Sequence, residues 1–280
     1  MPKLEPAPAR PLVGDKTCTG LPSPQINGTA AQNPPPSPPN AAALQRLHEE
    51  IVACRRCPRL VAHCQAVARA KRRMYADWEY WGKPVPSFGD PAARLLVVGL
   101  APAAHGGNRT GRMFTGDSSG DWLVEALHAY GFANQPTSVH RGDGLRLIDA
   151  YITAAAHCAP PDNKPTPEEL SNCLPFLRRE LELLTNLQVV IVLGRTGFDA
   201  FWRAMKELGR IKPDVKKPVF AHGARFAWDP AQPTLLMSYH PSRQNTQTGR
   251  LTKPMFHSVF AAARALIDDS SPAQGPACNG

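Results

Sequence analysis

The chain has 280 residues, 42% of them hydrophobic, and a formal net charge of +9. This is enough for one large domain or two small ones with a true core, and no stretch is long and apolar enough for a membrane-spanning helix. The N-terminus shows no apolar secretion segment, so the seven cysteines are expected in a reducing, cytoplasmic setting, where grouped cysteines point to metal binding before disulfides.

Residues 1–40 hold eleven of the thirty prolines, including the run Pro34-Pro35-Pro36-Ser37-Pro38-Pro39. Such a composition buries too little apolar surface to offset its ordering entropy, so it reads as a disordered tail. Residues 268–280 read as a second, flexible tail, leaving a globular domain over 41–267. Within it, 41–53 has helical spacing and the chain turns at Cys57-Pro58. The basic run Arg55–Arg73 reads either as a solvated helix face or as a contact for a polyanion such as nucleic acid. Residues 74–88 are aromatic and irregular, with Trp78 and Trp81 read as packing residues. Strands are then predicted at 94–100, 151–156, 189–193 and 234–239, and helices at 119–130, 167–184, 196–208 and 254–267. Short apolar strands separated by helices predict a three-layer α/β/α fold with a central, mainly parallel, four-stranded sheet. Sites in such folds lie beyond the carboxyl ends of the strands. Three polar loops stand there, at 101–117, 157–166 and 240–252.

Cys54-Arg55-Arg56-Cys57 places two thiols within reach of one metal centre. Cys158 follows a strand, and Cys173 lies on the next helix. Four thiolates suit structural zinc or an iron–sulfur cluster, and C-x-x-C pairs also arise without metal, as unligated cysteines buried or in turns. The second pair lacks the tight spacing of most zinc sites, which favours a cluster. Cys64 is a spare candidate, and Cys18 and Cys278 lie in the tails.

The first loop, Gly99-Leu100-Ala101-Pro102-Ala103-Ala104-His105-Gly106-Gly107-Asn108-Arg109-Thr110-Gly111-Arg112-Met113-Phe114-Thr115-Gly116-Asp117, is too unusual for a connector. With Tyr151-Ile152-Thr153, Cys158 to Pro165, and His240 to Thr252, it strongly resembles the type B, or family 5, uracil-DNA glycosylases. The resemblance spans roughly residues 44–267. It implies a base-excision repair hydrolase that acts on double-stranded and possibly single-stranded DNA carrying deaminated bases. It also implies a 4Fe–4S cluster held by Cys54, Cys57, Cys158 and Cys173. A monomer is expected, located in the cytoplasm and associated with the nucleoid through DNA.

Breaking the N–C1′ bond builds positive charge on the sugar and negative charge on the departing base, so an anion is needed near the first and a donor near the second. Asp117 is the candidate anion, because residues 99–121 hold only one other acid, Asp121, and the third loop holds none. By resemblance, Asn163 positions water with Asp117 and His240 donates to the base. Ala101, Gly106, Phe114 and Asn245 shape the base pocket, with Phe114 stacking on the flipped base. Ser242, Arg243, Gln244 and Thr246 are expected to enter the minor groove, and Arg109, Arg112, Arg250 and Lys253 to join Arg243 on phosphates. Uracil-specific relatives place an acid near Leu100 or Ala101 and an asparagine where this chain has Ala154. Their absence implies broad specificity that includes hypoxanthine. The same residues leave two rivals open: a cluster-bearing DNA-binding module without catalysis, and a zinc-stabilised nuclease or hydrolase. No lysine is placed for Schiff-base chemistry, so a monofunctional enzyme that leaves an abasic site is expected.

Overall fold

The computed structural model describes residues 40–270. The two tails fall almost wholly outside these residues. Helix α1 (Ala41–Ala53) is followed by α2 (Pro58–Ala70), which opens on proline at its first turn. Proline suits that position because its missing N–H has no intrahelical partner there. The turn expected at Cys57-Pro58 is therefore also a helix start. Then come β1 (Phe88–Gly89), β2 (Leu95–Gly99), α3 (Gly107–Thr110), α4 (Ser118–Ala129), β3 (Ala150–Ala154), α5 (Pro167–Leu183), β4 (Val189–Leu193), α6 (Gly194–Glu207), β5 (Arg225–Phe226), β6 (Thr234–Ser238), α7 (Arg243–Gln247) and α8 (Lys253–Asp269). Helix α8 thus runs past residue 267, where the tail was expected to begin.

The sheet has six strands, not four, in the order β1-β3-β2-β4-β6-β5. The four expected strands form its parallel centre. The two additions are two-residue strands, antiparallel to β3 and β6. They cover the edges of the parallel set, which would otherwise expose unpaired backbone groups.

Alternate strand residues feed two cores. Leu95, Val97, Ile152, Val189, Ile191 and Leu236 pack under α4 and α8 with Leu123, Leu127, Phe256 and Phe260. Leu96, Val98, Tyr151, Val190, Val192 and Leu235 face Leu44, Leu177, Phe198 and Trp202 of α1, α5 and α6. This period of two is why the strands read as continuous apolar runs: both faces are covered. The connection from β2 runs to one side of the sheet and that from β4 to the other. The crevice between their carboxyl ends is the switch point where α/β sheets take ligands.

Candidate active site

Asp117 occupies its place for a local reason. It is the N-cap of α4, and its Oδ1 accepts from the N–H groups of Ser119 (2.9 Å) and Gly120 (3.0 Å). Two of the helix's orphan donors are satisfied, and the carboxylate sits at the positive end of the helix dipole. Oδ2 lies against Gly106, where a Cβ would come within 1.9 Å of it. Position 106 is glycine because the carboxylate occupies the space a side chain would need. Burial raises the Asp117 pKa, and the Gly120 and Ser119 N–H groups oppose the shift.

His240 follows β6. Burial lowers its pKa to about 4, so the ring is neutral at neutral pH. Its ring stacks on Phe114, centroids 5.9 Å apart and planes at 29°. Its carbonyl accepts from Asn245 Nδ2 at 2.9 Å. Gly194, with φ of +83°, turns the chain into α6 beneath the His240 Cβ. Ser119 Oγ donates to the Pro241 carbonyl (3.0 Å), which ties the Asp117 turn to the third loop. The structure thus brings Gly106, Phe114, Asp117, His240 and Asn245 together. Phe114 is 8% exposed and holds a left-handed backbone, φ +48°. The edge of its ring lies over Gly99, where any Cβ would clash at 2.7 Å. Its stack is already made, with His240. Gly99 pairs with Ala154 across β2 and β3, so the floor beside Phe114 carries almost no side chain.

Beside this group is a cleft of about 410 Å³, lined by Leu100, Leu193, Arg195, Phe220, Tyr239, His240, Asn245 and Arg250 among others, a size usual for small-ligand sites. Arg250 lies over the Tyr239 ring at 4.7 Å. Phe220 and Tyr239 were not singled out from the sequence. Phe220 lies in a stretch without periodicity, and only the fold carries it to the cleft.

Two arginines expected on phosphates are placed differently. Arg109 is 3% exposed, stacked on Tyr75 (3.9 Å) and Trp78 (4.0 Å), and donates to the carbonyls of His105 and Gly116 (both 2.8 Å). Arg112 is 4% exposed and forks onto both carboxylate oxygens of Asp143 (2.9 and 2.8 Å). Both guanidiniums are committed to the protein, so they brace the first loop from within. Lys253 pairs with Glu125. The third loop contains a helical turn, α7, capped by Ser242 and closed by the Thr246 hydroxyl on the Ser242 carbonyl, with Arg243 and Gln244 exposed. Asn163 is exposed on a turn in which it and Asp162 both have positive φ. Its side chain makes no hydrogen bond among the described residues. Ala101 packs toward Ala156 and Cys173.

The four expected cysteines line one small cavity with Arg56, Val61, Pro84, His157, Asn172 and Phe176. The five described cysteines are all free. Asn172 Nδ2 donates to Cys57 Sγ at 3.6 Å. Among the described residues, no three Cys, His, Asp or Glu side chains converge as ligands of a single ion would. Four thiols on one cavity are a donor set that suits either structural zinc or an iron–sulfur centre.

A doubly wound α/β domain with a capped carboxylate and a neutral histidine at its switch point is the class that fold and site define. The sequence profile of the Uracil DNA glycosylase superfamily matches residues 86–264, and the chain belongs to that family. A type-5 uracil-DNA glycosylase of Thermus thermophilus is 49% identical over 218 residues, 78% of this chain and 95% of the relative. Type-5 relatives from Mycobacterium leprae and Pyrobaculum aerophilum are each 47% identical, covering 81% and 77% of this chain and 96% and 89% of their own length. A type-4 uracil-DNA glycosylase of Pyrobaculum aerophilum is 31% identical over 225 residues, 80% of this chain and 92% of the relative.

Proposed function

We propose that the protein hydrolyses the N-glycosidic bond of uracil, and of other deaminated bases such as hypoxanthine, in DNA, leaving an abasic site. The observation that carries this is Asp117: a carboxylate fixed through one oxygen and bare on the other, in a turn that Ser119 ties to the loop of His240, a neutral imidazole whose ring has no protein hydrogen bond among the described residues.

The enzyme extrudes the nucleotide from the stack, at a cost of roughly a few kcal/mol that is smallest for mismatched bases. Asp117 stays ionised and faces the sugar, where its charge stabilises the developing cation and orients water, with Asn163 as the second holder of that water. The His240 ring donates to the departing base without giving up its own charge state. Arg243 and Gln244 approach the strand from α7, with Ser242 and Thr246 shaping the turn. The Gly99–Ala154 floor offers no amide to read the base edge, which supports broad acceptance. The cations lining the cleft are Arg195 and Arg250. Neither forms a Schiff base, in keeping with a monofunctional enzyme.

Cys54, Cys57, Cys158 and Cys173 would hold a 4Fe–4S cluster. When bound, the group supplies a cross-link between the α1–α2 turn, the exit of β3 and α5, and no chemical step passes through it. The test is a duplex with one uracil or one hypoxanthine. Strand breakage only after alkali is expected for both. A cut without alkali favours a nuclease, and binding with no abasic site favours a non-catalytic module. Anaerobically purified protein should contain iron and acid-labile sulfide.

A further inference from the structure

His157 is 1% exposed and lines the cysteine cavity. Its Nδ1 lies 2.9 Å from the Val85 carbonyl. A carbonyl only accepts, so Nδ1 carries the proton and Nε2 of the neutral ring presents a lone pair. That Nε2 is fully buried and has no hydrogen-bond partner. Buried polar atoms are rarely left so, and each such atom calls for a partner. Turning the ring to find one would break the Nδ1–H bond to the Val85 carbonyl. Val85 N–H also donates to the His157 carbonyl at 2.7 Å, and Phe176 stands edge-to-face with the ring at 5.7 Å. A lone pair held without a donor, in a wall shared with four thiols, has the form of a metal ligand. Imidazole nitrogen replaces thiolate on iron in some iron–sulfur centres.

The four thiols are not equivalent. Cys57, Cys158 and Cys173 are buried, and Cys54, in the cap of α1, is partly open to solvent. Cys54 is the corner most accessible to exchange.

We propose that His157 is a fifth donor of this cavity, whose Nε2 binds iron when Cys54 is lost from it. This rests on the cluster reading above. Each exchange replaces one iron–sulfur bond with one iron–nitrogen bond; the thiolate leaves with its electron pair, and no oxidant or reductant is required.

Three proteins are reconstituted anaerobically with iron and sulfide: Cys54→Ala, His157→Phe, and the double variant. Iron and sulfide per chain are measured, and the reduced clusters are read by pulsed EPR for coupling to ¹⁴N. Cys54→Ala should retain the cluster and gain a directly coordinated nitrogen signal, and the double variant should lose most of its iron. A Cys54→Ala cluster with no such nitrogen, or equal iron in single and double variants, overturns the proposal. If Cys54→Ala does not fold by circular dichroism, iron release to a chelator is compared in wild type and His157→Phe. The variant should lose iron faster, by about tenfold, and equal rates refute the idea. Wild-type protein that takes up no iron or sulfide fails the cluster reading itself, a separate outcome.

Discussion

Replacing Asp117 with asparagine separates its two roles. The amide oxygen can still accept from Ser119 and Gly120, the bonds that cap α4, and asparagine caps about as well as aspartate. What disappears is the charge. Loss of a negative charge at a helix N-terminus costs about 0.3–1 kcal/mol. The raised pKa of Asp117 means that burial already disfavours the ionised form, so removing it returns part of that cost. Stability should therefore change by less than about 1 kcal/mol, or roughly 2–4 °C in Tm for a domain of this size. Catalysis should change far more, because a positioned electrostatic group is worth about 10²–10³ in rate. Single-turnover cleavage of a uracil duplex, developed with alkali, measures this, and thermal melting measures the cap. Asp117→Ala should lose as much rate and a further 0.5–2 kcal/mol or so of stability with the cap. An Asp117→Asn enzyme within about threefold of wild type would refute the assignment of the charge to the transition state.

Gly106→Ala should cripple turnover with little effect on DNA binding, since its Cβ would displace the Asp117 carboxylate; equal turnover would show that the carboxylate does not act from this position. Because Asp117 must be ionised and its pKa is raised, the acid limb of kcat/KM should lie above the ordinary carboxylate range, and it should be absent in Asp117→Asn. Arg112→Leu breaks a buried ion pair and should cost about 3 kcal/mol in urea unfolding. Burial would raise the Asp143 pKa, but the Arg112 fork and the Leu145 and Val139 N–H groups outweigh it and hold the carboxyl well below its usual range. The stability this pair gives is therefore present above the unfolded carboxylate pKa and lost as pH falls toward the folded one, and Arg112→Leu should flatten that acid loss. Arg243→Ala should weaken DNA binding evenly across sequences and reduce the salt slope by about one, as removing a phosphate contact does.

The sequence makes the centre of this molecule legible and hides its edges. Each central strand is a five-residue, mostly apolar run that announces itself, whereas β1 and β5 are two residues each and carry no period. The arginine-rich stretch at 55–73 left a helix face and a polyanion contact both open; α2 is that helix, with Pro58 at a favoured helix start. Asp117 was readable because its cap is local, two and three residues from its donors. Arg109 and Arg112 were not. Charge in a polar loop resembles a phosphate contact until Tyr75, Trp78 and Asp143, all distant in sequence, are seen to enclose it. The cysteine frame was readable as spacing, while the single cavity joining its members required the fold.

Arg109 links the carbonyl of His105 to that of Gly116 and lies against the rings of Tyr75 and Trp78, which stand edge to face with each other. The first loop is therefore shut before DNA arrives. Its conformational freedom, about 1–2 kcal/mol for each residue, was surrendered when the chain folded, so nothing in that loop has to be ordered on encounter. On the proposed mechanism, recognition then has one large task left, moving the base, and damage that has already loosened a base makes that task easier.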